Sequence, residues 1–242
     1  MSRVRELRAL HTAVHAGGRP LVLPGPWDAA SARVFEEAGF PALATPSAGI
    51  AAALGHEDGH TPADEMFAAV ARIVRAVSVP VTADLEGGYG LAPEELVERV
   101  LESGAVGLNL EDSDRTGGLR DPEAHAERLA AVRAAAGPAL FLNARIDTYL
   151  RGGGSVDEAA ARARRYRAAG ADCVFPILAP AADLPRLRAA GVEGPLNFLA
   201  RPGDPDFAEL GRLGATRITF GQGLLLRTLA GVRELADGLL RA

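Results

Sequence analysis

The segment Asp84-Leu85-Glu86-Gly87-Gly88-Tyr89-Gly90 sets two carboxylates two residues apart, followed by glycines that let a loop approach a ligand closely. Residues two apart on a strand point to the same side, so Asp84 and Glu86 converge if a strand ends here. Paired carboxylates need a counter-ion. Adding Glu111 from the next strand and Asp58 from the preceding loop gives an oxygen-rich set suited to a hard cation. Mg²⁺, with Mn²⁺ as the alternative, keeps several waters and takes only one or two direct carboxylates. The competing reading is that these acids pair with arginines or cap helices.

A second group lies in Asn143-Ala144-Arg145-Ile146-Asp147. The planar guanidinium of Arg145 offers a bidentate fork to a substrate carboxylate; the alternative is a structural ion pair with Asp147 or Glu111. Ser47 and Ala48 either present backbone N–H groups to an anion or form a plain turn. His56 and His60 flank Asp58 and read as solvated loop residues. Trp27 either floors a pocket or fills the core, and Cys173 begins a buried strand. Phe220-Gly221-Gln222-Gly223 is a short, weak candidate for a phosphate-binding turn.

Positioning these groups requires a repeated scaffold. Short apolar runs without strict alternation read as strands buried on both faces, and eight occur: 21–23, 42–45, 79–83, 107–111, 140–144, 173–178, 195–199 and 217–220. Helix-like stretches intervene at 29–38, 64–77, 93–103, 122–136, 156–169 and 224–240, and an amphipathic stretch at 4–15 precedes the first strand. Gly39, Gly104, Gly170, Gly191 and Gly214 each stand between a helix end and a strand, where a left-handed backbone closes the last turn. Eight such units predict an α/β fold, a (β/α)₈ TIM barrel with a short N-terminal helix closing its bottom, forming one catalytic domain over 1–242. Active sites in such barrels lie at the C-terminal strand ends. There the sequence supplies Asp28, Ser47, Asp84, Glu86, Glu111, Asp112, Asn143, Arg145, Asp147 and Asn197.

Composition narrows the chemistry. All 26 basic residues are arginines, and without a Lys amine neither a Schiff-base aldolase nor a pyridoxal-phosphate enzyme is available. The single Cys173 excludes an internal disulfide and a multi-cysteine zinc site. A net charge of −5 with no basic stripe argues against nucleic acid. No signal peptide or membrane span is read, so no membrane partner and a cytoplasmic location are expected.

In these motifs the sequence resembles the isocitrate lyase / phosphoenolpyruvate mutase superfamily. Leu23-Pro24-Gly25-Pro26-Trp27-Asp28-Ala29-Ala30-Ser31-Ala32 looks like its first-strand motif. Glu36 to Phe40, Leu54 to Asp58, Asp84 to Gly90, Gly107 to Asp112 and Asn143 to Asp147 follow in family order, over nearly the whole chain. The resemblance implies Mg²⁺ on Asp84, with Glu86, Asp58 and Glu111 acting directly or through waters. It implies that Arg145 and the Ser47-Ala48 backbone grip the carboxylate of a 2-oxo acid and that Asn197 contacts its other end. The shared chemistry makes or consumes a pyruvate or glyoxylate unit, often through an enolate.

Departures shape the expected reaction. After the fourth strand, lyases of this family carry Lys-Lys/Arg-Cys-Gly-His and the mutases carry Lys and Asn, whereas here the loop reads Ser113-Asp114-Arg115-Thr116-Gly117-Gly118-Leu119-Arg120. Ile177 stands where lyases have Glu, and Glu86 where many relatives have Asp. The gating loop is therefore divergent or short. The expectation is a Mg²⁺-dependent carbon–carbon lyase or decarboxylase on a small 2-oxo or 2-hydroxy dicarboxylate, its acid/base unassigned between Glu111 and a metal-bound water. A carbon–phosphorus enzyme is the first alternative and a 2-oxo-acid-binding barrel with vestigial catalysis the second. The family's extra C-terminal helix, often exchanged between subunits, is expected to be missing, since the chain ends on the helix starting near Leu224. A homodimer or homotetramer through barrel helices is expected by resemblance.

Overall fold

The computed structural model describes residues 2–15, 19–114 and 116–241. In chain order the elements are α1 (Arg3–His15), β1 (Leu21–Val22), α2 (Ala29–Glu37), β2 (Leu43–Thr45), α3 (Ser47–Leu54), α4 (Ala63–Ala76), β3 (Val81–Asp84) and α5 (Pro93–Ser103). Then come β4 (Gly107–Glu111), α6 (Pro122–Ala136), β5 (Phe141–Ile146), α7 (Thr148–Arg151), α8 (Val156–Ala168) and β6 (Cys173–Pro176). A 3₁₀ turn (Ala181–Asp183) leads to α9 (Leu184–Ala189), β7 (Asn197–Leu199), α10 (Phe207–Leu213), β8 (Arg217–Thr219) and α11 (Gly223–Leu240).

All eight expected strands are present and pair in parallel, but their ladders fall into two sheets. Strands β2-β3-β4-β5-β6 form a curled five-stranded half-barrel, and β1-β8-β7 form a three-stranded sheet. The sheets meet through a parallel bridge between Val174 and Leu196 and through the Ala44 N–H donating to the Pro24 carbonyl at 3.1 Å. The five glycines expected at unit boundaries all adopt positive φ, from +79° at Gly104 to +116° at Gly214. That conformation costs glycine little and other residues more.

Hydrophobic packing follows from the βα repeat. One cluster lies between the sheet and the outer helices and includes Leu43, Val81, Leu108, Leu142, Val174, Ile73, Val100 and Leu129. A second fills the strand-start end with Leu21, Leu23, Ala42, Ala44, Phe141 and Cys173, and Leu7 of α1 is buried among them. His11 of α1 stacks on Phe141 with ring centroids 4.2 Å apart. The N-terminal helix thus covers the end opposite the candidate site, and Cys173 is core as read. In contrast, α11 buries only Leu225 of its 18 residues. Leu226, Leu229, Val232, Leu235, Leu239 and Leu240 are 49 to 87% exposed along it.

Candidate active site

Sheet register builds the centre. Asp84 pairs with Asn109, Asn109 with Asn143 and Asn143 with Cys173, while Glu111 pairs with Arg145. Because strand side chains alternate, Glu111 and Arg145 share a face with Asn109 and Asn143 one step below. Arg145 Nη1 lies 2.8 Å from Glu111 Oε2 and 3.7 Å from Asp84 Oδ2. Its Nε and Nη2 donate to the two carboxylate oxygens of Asp147 at 2.7 and 3.2 Å. One guanidinium therefore faces three carboxylates.

That ratio sets the electrostatics. Burial pushes the Asp84 carboxyl above the usual range; Arg145 opposes the shift, and Asp58 and Asp147 add to it. Glu111 is pushed up to about 8, by burial first; Arg145 opposes the shift, and Asp147, Asp84 and Glu86 add to it. The same acids raise Arg145 above its ordinary value although burial acts the other way. The centre gathers more carboxylates than guanidiniums, with Arg145 in contact and the buried Arg217 acting on Asp84 from further off, and its acidic side chains offer only oxygen. That fits a hard divalent cation held by one or two carboxylates with waters. Asp84 is best placed to touch it, with Glu86, Glu111 and Asp58 around it. No group of three or more His, Cys, Asp or Glu among the described residues encloses a metal by itself.

Glu86 reaches the site differently from the expected route. Strand β3 ends at Asp84, so strand alternation does not carry Glu86; instead it sits in a turn at φ +53°, with Tyr89 at +55°. Non-glycine residues seldom adopt this region, and it recurs where a functional site holds the backbone. Gly88 sits at φ +82°, a left-handed backbone that glycine adopts at little cost. Asp58, Glu86, Glu111 and Asp114 line a cavity of about 370 Å³ at this mouth, together with Arg120 and Arg151.

Ser47 and Ala48 open α3 rather than forming a loop. Pro46 precedes them without any side-chain cap, so the first-turn N–H groups, which have no acceptor inside a helix, point off the end of β2. A Cβ on Gly49 would stand 3.6 Å from Trp27 Cβ, which places Trp27 beside this helix start. Asn197 is fully buried; its Oδ1 accepts from Thr219 Oγ1 at 3.2 Å, and its Nδ2 has no partner among the described residues. Asp28 caps α2 through the Ser31 N–H at 2.7 Å, a structural role. His56 pairs with Glu65 at 3.1 Å.

Several contributors were not singled out in the sequence. Asn109 Oδ1 accepts from Asn143 Nδ2 at 2.8 Å, and Ser113 Oγ donates to Asp147 at 2.6 Å. Arg162 and Tyr166 of α8 donate to the fully buried Asp112, itself read from the sequence, at 3.0 and 2.8 Å. Asn109 could have been found from its position two residues before Glu111; the partners on α8 had no local signal. The loop after β4 is a short hairpin. Ser113 bridges Leu119 in antiparallel fashion, and the Asp114 carboxylate takes the Thr116 and Gly118 N–H groups. Arg115 lies outside the described residues.

Parallel strands feeding outer helices, with an acid–arginine centre where β3, β4 and β5 end, define an α/β protein with a strand-end site. The phosphoenolpyruvate phosphomutase family model matches residues 10–240, and the chain belongs to that family, within the isocitrate lyase / PEP mutase superfamily. An uncharacterized protein of Mycobacterium tuberculosis (strain ATCC 25618 / H37Rv) is 36% identical over 209 residues, covering 86% of this chain and 80% of that one. A Burkholderia cenocepacia J2315 protein, described provisionally as a phosphonomutase, is 40% identical with TM-score 0.88, covering 98% of this chain and 100% of that one. The structure of 2,3-dimethylmalate lyase is 29% identical with TM-score 0.86, covering 100% of this chain and 85% of that one. The superfamily expected from the motifs is thus the one found. Among the described residues no helix is long and apolar enough to cross a membrane.

Proposed function

We propose that the chain is a Mg²⁺-dependent carbon–carbon lyase or decarboxylase of a small 2-oxo or 2-hydroxy dicarboxylate, acting through a pyruvate-like enolate. The observation that carries this is Arg145 set against Glu111 at 2.8 Å and Asp84 at 3.7 Å on adjoining strand ends. In this reading the Arg145 fork and the uncapped start of α3 hold the substrate carboxylate, and Trp27 covers it. Asn197 Nδ2 meets the far end. Asp84, with Glu86, Asp58 and Glu111 around it, would hold the divalent cation, which would supply Lewis-acid chemistry toward the 2-oxo group. Arg145 gains strength as negative charge develops there, which lowers the barrier more than it tightens ground-state binding. Glu111, whose carboxyl holds a proton up to about pH 8, supplies or takes the proton, since an acid/base works best near the operating pH. The two sheets close as a (β/α)₈ barrel around this centre.

The second reading is a carbon–phosphorus enzyme. It is favoured by the mutase family model and by the Burkholderia relative described provisionally as a phosphonomutase. Turnover of oxaloacetate and of phosphonopyruvate with Mg²⁺ separates the two. Carbon–carbon cleavage of the former, abolished in Asp84→Asn, is expected; phosphate release from phosphonopyruvate alone overturns the first reading.

The active form is a homodimer or homotetramer. The apolar stripe of α11 recurs every three to four residues, as on a helix that buries one face against a partner, and it supports this assembly.

A further inference from the structure

Resting on the reading of Arg145 as the holder of a 2-oxo acid carboxylate, we infer that Arg120 and Arg151 form a second anion subsite. It recognises a second carboxylate or phosphonate of the substrate, on the side of Glu111 away from Arg145, so the preferred substrate is a dianion. Both side chains line the mouth cavity together with Asp58, Glu86, Glu111 and Asp114. Glu111 joins the two subsites, for it faces this cavity and also touches Arg145.

The positions of the two guanidiniums are built, not incidental. The Arg120 backbone N–H donates to the Asp112 carbonyl at 2.8 Å, and its side-chain Nε donates to the Ser113 carbonyl at 3.2 Å. That fixes the side chain at the base of the hairpin and leaves its terminal nitrogens beside Gly87, where a Cβ would stand 3.5 Å from Nη2. Arg151 ends α7, whose N–H donates to the Asp147 carbonyl at 2.8 Å. Its Nη1 lies 3.3 Å from where a Cβ on Gly117 would be, so the αL glycine of the hairpin makes room for it. Among the described residues neither guanidinium has a carboxylate within ion-pair distance, although four acids, Asp58, Glu86, Glu111 and Asp114, line the same cavity and Arg120 acts on Asp114 at longer range. Two cations kept apart from those acids across one small space offer forks to an anion that enters between them.

The test compares 2-oxobutyrate with oxaloacetate, which replaces its terminal methyl by a carboxylate, and with phosphonopyruvate, each titrated with Mg²⁺ by thermal shift. Wild type should bind at least one dianion more tightly than 2-oxobutyrate, by roughly tenfold per guanidinium engaged. Which dianion gains more tells carboxylate from phosphonate. Arg120→Met/Arg151→Met should lose that preference while 2-oxobutyrate affinity and the unliganded melting temperature stay unchanged. If the preference survives in the double variant, or wild type does not discriminate, the subsite is overturned while the Arg145 reading stands, provided Arg145→Met abolishes 2-oxobutyrate binding. If wild type binds none of the three, both fall.

Discussion

The Asp112 carboxylate accepts the backbone N–H of Asp147 at 2.8 Å, tying the end of β4 to the end of β5. Asp147 in turn grips Arg145 through both oxygens. The orientation of the Arg145 guanidinium is thus set from behind, through Asp112, by Arg162 and Tyr166 on α8.

Removing Arg162 should therefore destabilise the fold more than a surface change would. Arg162→Met leaves the fully buried Asp112 without its cation, and breaking a buried ion pair from one side costs about 3–5 kcal/mol. Denaturant unfolding reads this directly; a loss below about 1 kcal/mol would mean that Tyr166 alone suffices.

Arg145→Lys keeps the charge and removes the fork. Its contacts to Asp147, Glu111 and Asp84 cannot all be reproduced by one ammonium. The expected loss in kcat/KM is roughly 10- to 100-fold, corresponding to one or two charge-assisted hydrogen bonds. Steady-state kinetics near wild type would remove Arg145 from substrate binding.

In metal-free protein, Glu111 imposes a pH dependence. Its carboxyl is raised from 4.5 to about 8 in the folded state, so between those values the folded protein holds a proton that the unfolded chain has lost. Stability from this group is full below about pH 4.5 and declines as pH rises through about 8. Melting temperatures in EDTA should show wild type losing ground to Glu111→Gln from pH 5 to pH 8, and Mg²⁺ should reverse the trend. A difference independent of pH refutes the assignment.

Arg217 on β8 is wholly buried, and its three guanidinium nitrogens have no hydrogen-bond partner among the described residues. A buried guanidinium without hydrogen bonds, eased only by the longer-range pull of Cys173 and Asp84, opposes folding, and an apolar replacement of similar length is neutral or stabilising by about 1–4 kcal/mol. Arg217→Met should raise the melting temperature; a clear drop would reveal a partner.

The stripe on α11 makes assembly testable. Leu229→Glu/Leu235→Glu places charge on a face 49 and 70% exposed in the single chain, so the monomer should fold unharmed. Sedimentation should show oligomer for wild type and monomer for the variant; a wild-type monomer contradicts the proposed assembly.

Much of this was legible in sequence where a local rule governs. Apolar runs gave all eight strands, and the C-terminal ends of those runs located Glu111 and Arg145. What escaped had no local rule. Helix α3 is made of small and apolar residues, with Ser47, Gly49, Ile50 and Ala51 buried, so it lacks the polar face that marks a surface helix. Helix α7 spans four residues, too few for a period to show. Glu86 needed knowledge that β3 stops at Asp84. The pairing of Asp112 with Arg162 joins positions 50 residues apart, and the approach of Arg151 to Gly117 is a product of folding.

The hairpin after β4 carries a last consequence, for how new specificity arises. Its two ends are clamped by the Ser113–Leu119 bridge and by the Arg120 N–H on Asp112, while the acid–arginine centre belongs to the strands. Loop residues can then be exchanged as a cassette, with little strain passed to Asp84, Glu111 or Arg145. A lineage built this way explores new substrates by rewriting a few codons between fixed anchors and keeps its reaction centre intact throughout.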